Sequence, residues 1–343
     1  MADVKFEVAR KSTNHAGTPT VGTTMDITIS GFGTPKAAIV ILTAGISDGT
    51  ISQNGVMSIG YTDGTNQVCT AGQSADNVGT MATGRRHAND RVAMVPSGAS
   101  GSELLGISFD SWVTDGIRLK FETLTWSNRL VTVVLIGGDD VAEAHAGYHD
   151  DLGTGSSAVD ITSVGFESDL VFMSCVGLAT APTAGSVYNL LSFGVGHNDG
   201  SDTQRATLFG SDDNTTNSVV TGYISTNSIV GQVHNNALQW RGVIGDYDAD
   251  GFSVTPVTNA GSDVIFYLCL KFNNDPDVSL FSTGWPSSGN KNETAPGFEP
   301  GYQQQDYRNQ YEKRTAKDSD SVQQQARLPR ARACRQHRDR QYQ

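Results

Sequence analysis

The segment of this 343-residue chain whose residue types come nearest to a chemical site is Asp246-Tyr247-Asp248-Ala249-Asp250-Gly251. Carboxylates at alternate positions with glycine at the sixth form the first half of a calcium loop. Such a loop needs a bidentate glutamate at the twelfth position to complete its oxygen shell. That position is Val257, so Asp246, Asp248 and Asp250 are a weak Ca²⁺ candidate and read more simply as an acidic hairpin turn. His145 and His149, followed by Asp150 and Asp151, would be half a zinc site on a helix. On an extended strand the two rings stand more than ~12 Å apart, which argues against a shared metal and leaves a polar linker between domains. Arg85-Arg86-His87, with Asn89, Asp90 and Arg91 nearby, reads as a surface loop: a turn, a subunit contact, or a binder of an anion or sugar.

No GxSxG, phosphate loop, GxGxxG, HExxH or CxxC occurs. A Ser-His-Asp triad or a glycosidase carboxylate pair chosen from so many Ser and Asp would be arbitrary. Cys175 and Cys269 lie in apolar strand-like runs, where a reduced thiol packs as a small hydrophobe. With Cys69 and Cys334 they show no spacing that indicates disulfides or zinc. Trp112, Trp126, Trp240 and Trp285 are too scattered to separate a sugar-stacking platform from core packing. The expectation is no catalytic residue, no cofactor and no metal.

The elements around these residues are organised by an internal repeat. Asp3-Val4, Asp140-Val141 and Asp277-Val278 recur at intervals of 137 residues. Asp26-Ile27-Thr28-Ile29-Ser30-Gly31-Phe32 returns as Asp160-Ile161-Thr162-Ser163-Val164-Gly165-Phe166, and Asn292–Phe298 stands where a third version belongs. Met57-Ser58-Ile59-Gly60 matches Leu191-Ser192-Phe193-Gly194, and Asp115-Gly116-Ile117 matches Asp250-Gly251-Phe252. Residues 1–139 and 140–276 are therefore two copies of one unit, 277–300 the start of a third, and 301–343 a tail.

Within each unit, short β-branched or aromatic runs alternate with Gly, Asn, Asp and Ser clusters, and no helical period is sustained. Thr114-Asp115-Gly116 is a hairpin turn. The runs Ala37–Leu42, Val131–Ile136 and Val264–Leu270 are strand-sized, too short to span a bilayer, and apolar enough to be covered on both sides. Asp139–His149 matches Val4–Lys11 and so is an opening strand. The fold expected is all-β: two tandem antiparallel β-sandwiches of jelly-roll or similar topology.

The net charge is −12, but residues 301–343 hold 10 Lys and Arg against 5 Asp and Glu, which makes the tail +5 and the body −17. An acidic body argues against wrapping nucleic acid or binding an anionic membrane. The tail has one Val, one Leu and no Ile, Phe, Trp or Met, so it is expected to be disordered alone. A functional basic arm, a degenerate end and a frameshifted third unit are all compatible with it. The first residues lack the pattern of a secretory signal, and a cytoplasmically assembled protein is expected.

Gly31-Phe32, Pro35-Lys36-Ala37, Ser58-Ile59-Gly60, Ile107-Ser108-Phe109, Thr114-Asp115-Gly116-Ile117 and Val134-Leu135-Ile136-Gly137-Gly138-Asp139 resemble the repeated domain of tailed-phage virion structural proteins. The resemblance spans residues 3–276 and the stub to 300. It weakens at Leu268–Phe272, where the glycine pair is missing, and it carries no catalytic residue. It implies a non-enzymatic virion component (tail, appendage or head decoration) assembled in the host cytoplasm. Its partners would be other virion proteins and further copies of itself, a trimer by analogy. The alternative is a carbohydrate-binding adhesin that recognises host surface glycans, and a surface-glycan depolymerase comes third.

Overall fold

The computed structural model describes residues 4–280 except 15–17, 50–51, 53, 76–81, 99, 154, 180–182, 186–187, 213–219, 258–262, 275–277 and 279. The expected third unit beyond Leu280, the tail, Trp285 and Cys334 lie outside the described residues. All regular elements among the described residues are strands, and all pairings are antiparallel.

The first repeat comprises β1 (Lys5–Ser12), β2 (Thr24–Thr28), β3 (Ala37–Thr43), β4 (Gly55–Thr62) and β5 (Gln67–Ser74). It continues with β6 (Thr83–Ala88), β7 (Ala93–Pro96), β8 (Glu103–Val113), β9 (Gly116–Leu124) and β10 (Leu130–Gly137). The second repeat begins with β11 (Val141–His149), β12 (Val159–Ile161), β13 (Leu170–Cys175), β14 (Thr183–Gly185) and β15 (Tyr188–His197). It closes with β16 (Thr203–Asp212), β17 (Val220–Ser225), β18 (Val230–His234), β19 (Ala237–Asp248), β20 (Gly251–Pro256) and β21 (Ile265–Phe272).

Each repeat is a large sheet facing a small one, and strand order agrees between them. The large sheets run β1-β10-β3-β4-β5-β6 and β11-β21-β13-β15-β16-β17; the small ones run β2-β9-β8-β7 and β12-β20-β19-β18. The added strand β14 leaves the second repeat and pairs with β6 of the first, Thr183 opposite His87 and Gly185 opposite Arg85.

The alternation of strand side chains assigns each large sheet two apolar faces. On β3, Ala38, Val40 and Leu42 join Val131, Val133 and Leu135 of β10 in the first sandwich core with Ile117, Leu119 and Phe121. On β21, Ile265, Tyr267 and Cys269 join Val171, Met173 and Trp240 in the second. The intervening residues Ala37, Ile39, Ile136, Leu170, Phe266, Leu268 and Leu270 form a third core between the large sheets. A fully buried side chain of this kind contributes ~1.5–3 kcal/mol, so this middle layer stabilises the pair as much as a sandwich core does.

Both hairpins close where the sequence places them, but the positive φ falls on Asp115 in the first copy, not on Gly116, and Asp250 does not share it. Asp115 adopts φ 64° before Gly116 and accepts the Gly33 N–H at 2.8 Å. Gly31 and Gly165 have φ 81° and 85°, a region closed to most side chains, and they aim Phe32 and Phe166 into their cores. A Cβ on Gly116 or Gly251 would collide with the carbonyl oxygen of Ile27 or Ile161 respectively.

Two local expectations are corrected. Arg85-Arg86-His87 lies in strand β6: Arg85 and His87 find partners in the second repeat, and Arg86 faces Glu103 within the first. Residues 141–149 form the opening strand expected from their match to Val4–Lys11, and the polar linker read at His145 and His149 is overturned, because β11 pairs with β21 from Val141 to His149.

Candidate functional site: the contact between the repeats

On β5, Cys69 and Ala71 point into the first sandwich with Ala88 and Met94, while Val68 points to the middle layer. Thr70, Gly72 and Ser74 share the face of Val68, and on β6 Arg85 and His87 do the same. Opposite them lie β11, β15 and β21 of the second repeat. The imidazole of His87 stands 5.1 Å from the ring of Phe266.

The hydrogen bonds across this layer are specific. The Thr70 hydroxyl donates to Ser174 Oγ at 3.2 Å. Asn189 Nδ2 donates to Ser74 Oγ at 3.0 Å, and Ser74 and Ser211 meet at 3.0 Å. The Ala146 N–H donates to Asp63 Oδ2 at 2.9 Å, and Asn89 Nδ2 to the Tyr148 hydroxyl at 3.2 Å. Lys36 Nζ donates to the Val141 carbonyl. Burial pushes the Tyr61 phenol well above its ordinary range, against a weaker pull from Ser174. Buried polar groups are tolerated when paired, and each such pairing fixes the register of one repeat on the other.

The most strongly perturbed groups meet at one end of the layer. Arg85 reaches across to donate to the Val176 carbonyl at 2.9 Å, and its guanidinium lies 5.8 Å from the centre of the Tyr188 ring. Burial lowers its pKa, and the charge of Asp263 opposes that. Asp263 Oδ2 accepts the Trp240 indole N–H at 2.7 Å and an amide N–H of Gln232. Burial pushes Asp263 up to about 6, against the Trp240 hydrogen bond and the charge of Arg85. Gly177 adopts φ 66°, a region that favours glycine, and a Cβ there would displace the Gln232 amide. Burial and the hydrogen bonds from Trp240 and Gln232 thus hold the Asp263 carboxyl in place at this end of the layer.

The residues singled out from sequence are dispersed. Asp246, Asp248 and Asp250 are exposed at the β19–β20 hairpin, which closes with Asp248 opposite Gly251. Among the described residues no three of His, Cys, Asp and Glu are grouped as a metal would need. His145 Nδ1 lies 3.9 Å from Asp63 Oδ2, and burial lowers its pKa against the pull of that carboxylate. His149 Nε2 contacts the Asp151 carbonyl at 3.0 Å instead. Trp240 is a core residue, and Trp112 and Trp126 pack on the first core, so these three form no platform. Cys69, Cys175 and Cys269 are free and buried, and burial raises all three thiols, which suppresses the thiolate a nucleophile requires.

Sequence reading missed Asn189, Ser174 and Asp263. The available signal was Ser74 and Ser211, which stand 137 residues apart and touch. No family model, curated protein or solved structure matches this chain.

Proposed function

We propose that the chain is a non-enzymatic structural component of a tailed-phage virion, in which the two repeats act as a stiff spacer or display module. The observation that carries this reading is the buried layer between the large sheets, reinforced by β14 paired onto β6. Repeats joined by a loop alone would hinge, whereas an apolar layer with paired polar groups resists hinging and transmits load. The strand and turn motifs that resemble virion domains support the same reading, and so do thiols held protonated by burial.

The protein would be made in the host cytoplasm and reside in an appendage, the tail or a head decoration. Mass spectrometry of purified particles from a lysate whose phage encodes this chain is the direct test. Peptides from both repeats are expected at structural-protein abundance, and their absence from particles rejects the proposal. A glycan array probed with the full chain should be negative. Saturable binding to one glycan class would replace the spacer by the adhesin.

A further inference from the structure

The two large sheets end differently. In the first repeat the last strand, β6, is covered along its outer edge by β14, which crosses from the second repeat. The strand at the same place in the second repeat is β17, and among the described residues it pairs with β16 alone. Every second residue of β17 therefore turns an N–H and a C=O away from its sheet. Such an edge is a template for another strand, and proteins that keep it single guard it with charge, proline or a bulge. β17 reads Val-Thr-Gly-Tyr-Ile-Ser and has none of these, since its register with β16 is unbroken from Val220 to Ser225.

The side chains along this edge are apolar on one face. Gly60 stands opposite Cys69 and Gly194 opposite Ala206, so β16 superposes on β5 with Phe209 at the place of Gly72. Phe209 lies opposite Gly222 of β17, and Val220 and Ile224 share that face two residues to either side. Val220 is 56%, Ile224 68% and Phe209 39% exposed. Thr221 and Tyr223 turn the other way: Thr221 Oγ1 accepts the Asn236 N–H at 3.0 Å, and Tyr223 packs on Ala206, Leu208 and Val233. A Cβ at Gly222 would meet no atom within 4 Å, so the place above it is open.

The strand is also complementary to itself. Read outward from Gly222 it has the same character in both directions, with Thr221 and Tyr223 next to the glycine and Val220 and Ile224 beyond them. Two antiparallel copies related by a two-fold axis at Gly222 bring glycine opposite glycine, Thr221 opposite Tyr223 and Val220 opposite Ile224. The two Phe209 rings then stand on either side of the glycine pair, where neither strand supplies a side chain. A register centred on Thr221 sets Val220 against Gly222, and one centred on Tyr223 sets Ile224 against Gly222, so each leaves a large apolar side chain facing glycine.

We infer that β17 pairs antiparallel with β17 of a second copy of this chain, joining the two large sheets into one. The occupant is argued from the self-complementary register and from continuity with a device the molecule already uses, the sealing of a sheet edge by a strand from elsewhere. The contact is isologous, since the same strand serves both sides, and it closes at two copies. A dimer of this kind differs from the trimer that the resemblance to virion proteins implies, and it does not rest on that resemblance.

The test is sedimentation equilibrium of the full chain over a wide concentration range, with two double variants. Val220→Lys with Ile224→Lys sets like charges opposite each other twice across the axis, whereas Val220→Glu with Ile224→Lys sets opposite charges there. The wild type should be a dimer that dissociates to one chain on dilution. The Lys–Lys variant should raise the dimer dissociation constant by about tenfold or more, and the Glu–Lys variant should restore dimerisation. Both positions are exposed, so the melting curves of the monomers should agree; if the Lys–Lys variant melts early, the wild type and the Glu–Lys variant decide by themselves. A wild type that is monomeric at every concentration overturns the inference, including the case in which residues beyond 280 of the same chain cover the edge, and so does a trimer. A Lys–Lys variant that dimerises as tightly as the wild type, or a Glu–Lys variant that stays monomeric, overturns it equally.

Discussion

Gly60 and Gly194 hold the same place in the two repeats, and so do Gly72 and Phe209, yet only the first pair is the same residue. A Cβ on Gly60 or Gly194 would collide with a backbone carbonyl of the facing small sheet, Val92 or Ile229, so both sandwiches need glycine to close. Gly72 and Phe209 lie on the other side of the sheet, where each repeat meets a different neighbour. Gly72 faces Asn189, and Phe209 faces outward. Inward positions are dictated by the fold, and outward positions by what covers them.

Substitutions can break that comparison. The largest effect is expected at the shared glycines of the hairpins: Gly116→Val and Gly251→Val should each destabilise by about 3 kcal/mol, because the new side chain meets backbone that cannot move aside. Urea unfolding of both variants measures this, and a mild effect at either site would show that the two hairpins are not equivalent. Next is the outward pair. Gly72→Leu should destabilise by about 1–3 kcal/mol by prising Asn189 from Ser74. Phe209→Leu, at the equivalent place, should change the stability of the monomer by less than ~0.5 kcal/mol. Equal losses at the two positions would contradict the assignment of one face as covered and the other as open.

A pH-dependent effect concerns Asp263, which belongs to the contact between repeats and whose counterpart in the first copy is not an acid. Its folded pKa, up to about 6, lies above the ordinary aspartate value. The folded protein therefore keeps this proton where the unfolded chain has lost it. The carboxyl's contribution is fully present below about pH 4 and is lost as pH rises to about 6, by about 1–2 kcal/mol. Asp263→Asn should remove that part of the pH slope, so the variant gains on the wild type between those limits. Parallel urea midpoints for wild type and variant across pH 4–7 would refute a buried acid at this site.

Much of the fold was legible in the sequence because strand and turn signals are local. Asp-Gly at the hairpins, Gly-Phe after β2 and the 137-residue spacing of Asp-Val each follow from what a few neighbouring residues can do. The apolar runs of β3, β10 and β21 also announced coverage on both sides, which one sandwich does not provide. The second cover is the other repeat. What stayed hidden was nonlocal: Arg85 and His87 read as a loop because polar residues ordinarily seek water, and only the second repeat supplies Val176 and Phe266 as partners. Asp263 was invisible for the same reason, since Trp240, Gln232 and Arg85 reach it from three separate strands.

Strand β14 also bears on the order of events during synthesis. Until residue 185 has left the ribosome, β6 has an unpaired edge of N–H and C=O groups, and such edges recruit strands from other chains. The first sandwich is complete in its own strands by Gly137, so it waits with that edge open while the next fifty or so residues are made. A nascent chain stalled in this interval, or a gene cut between the repeats, would expose a template for aggregation that the finished protein seals with three residues of its own.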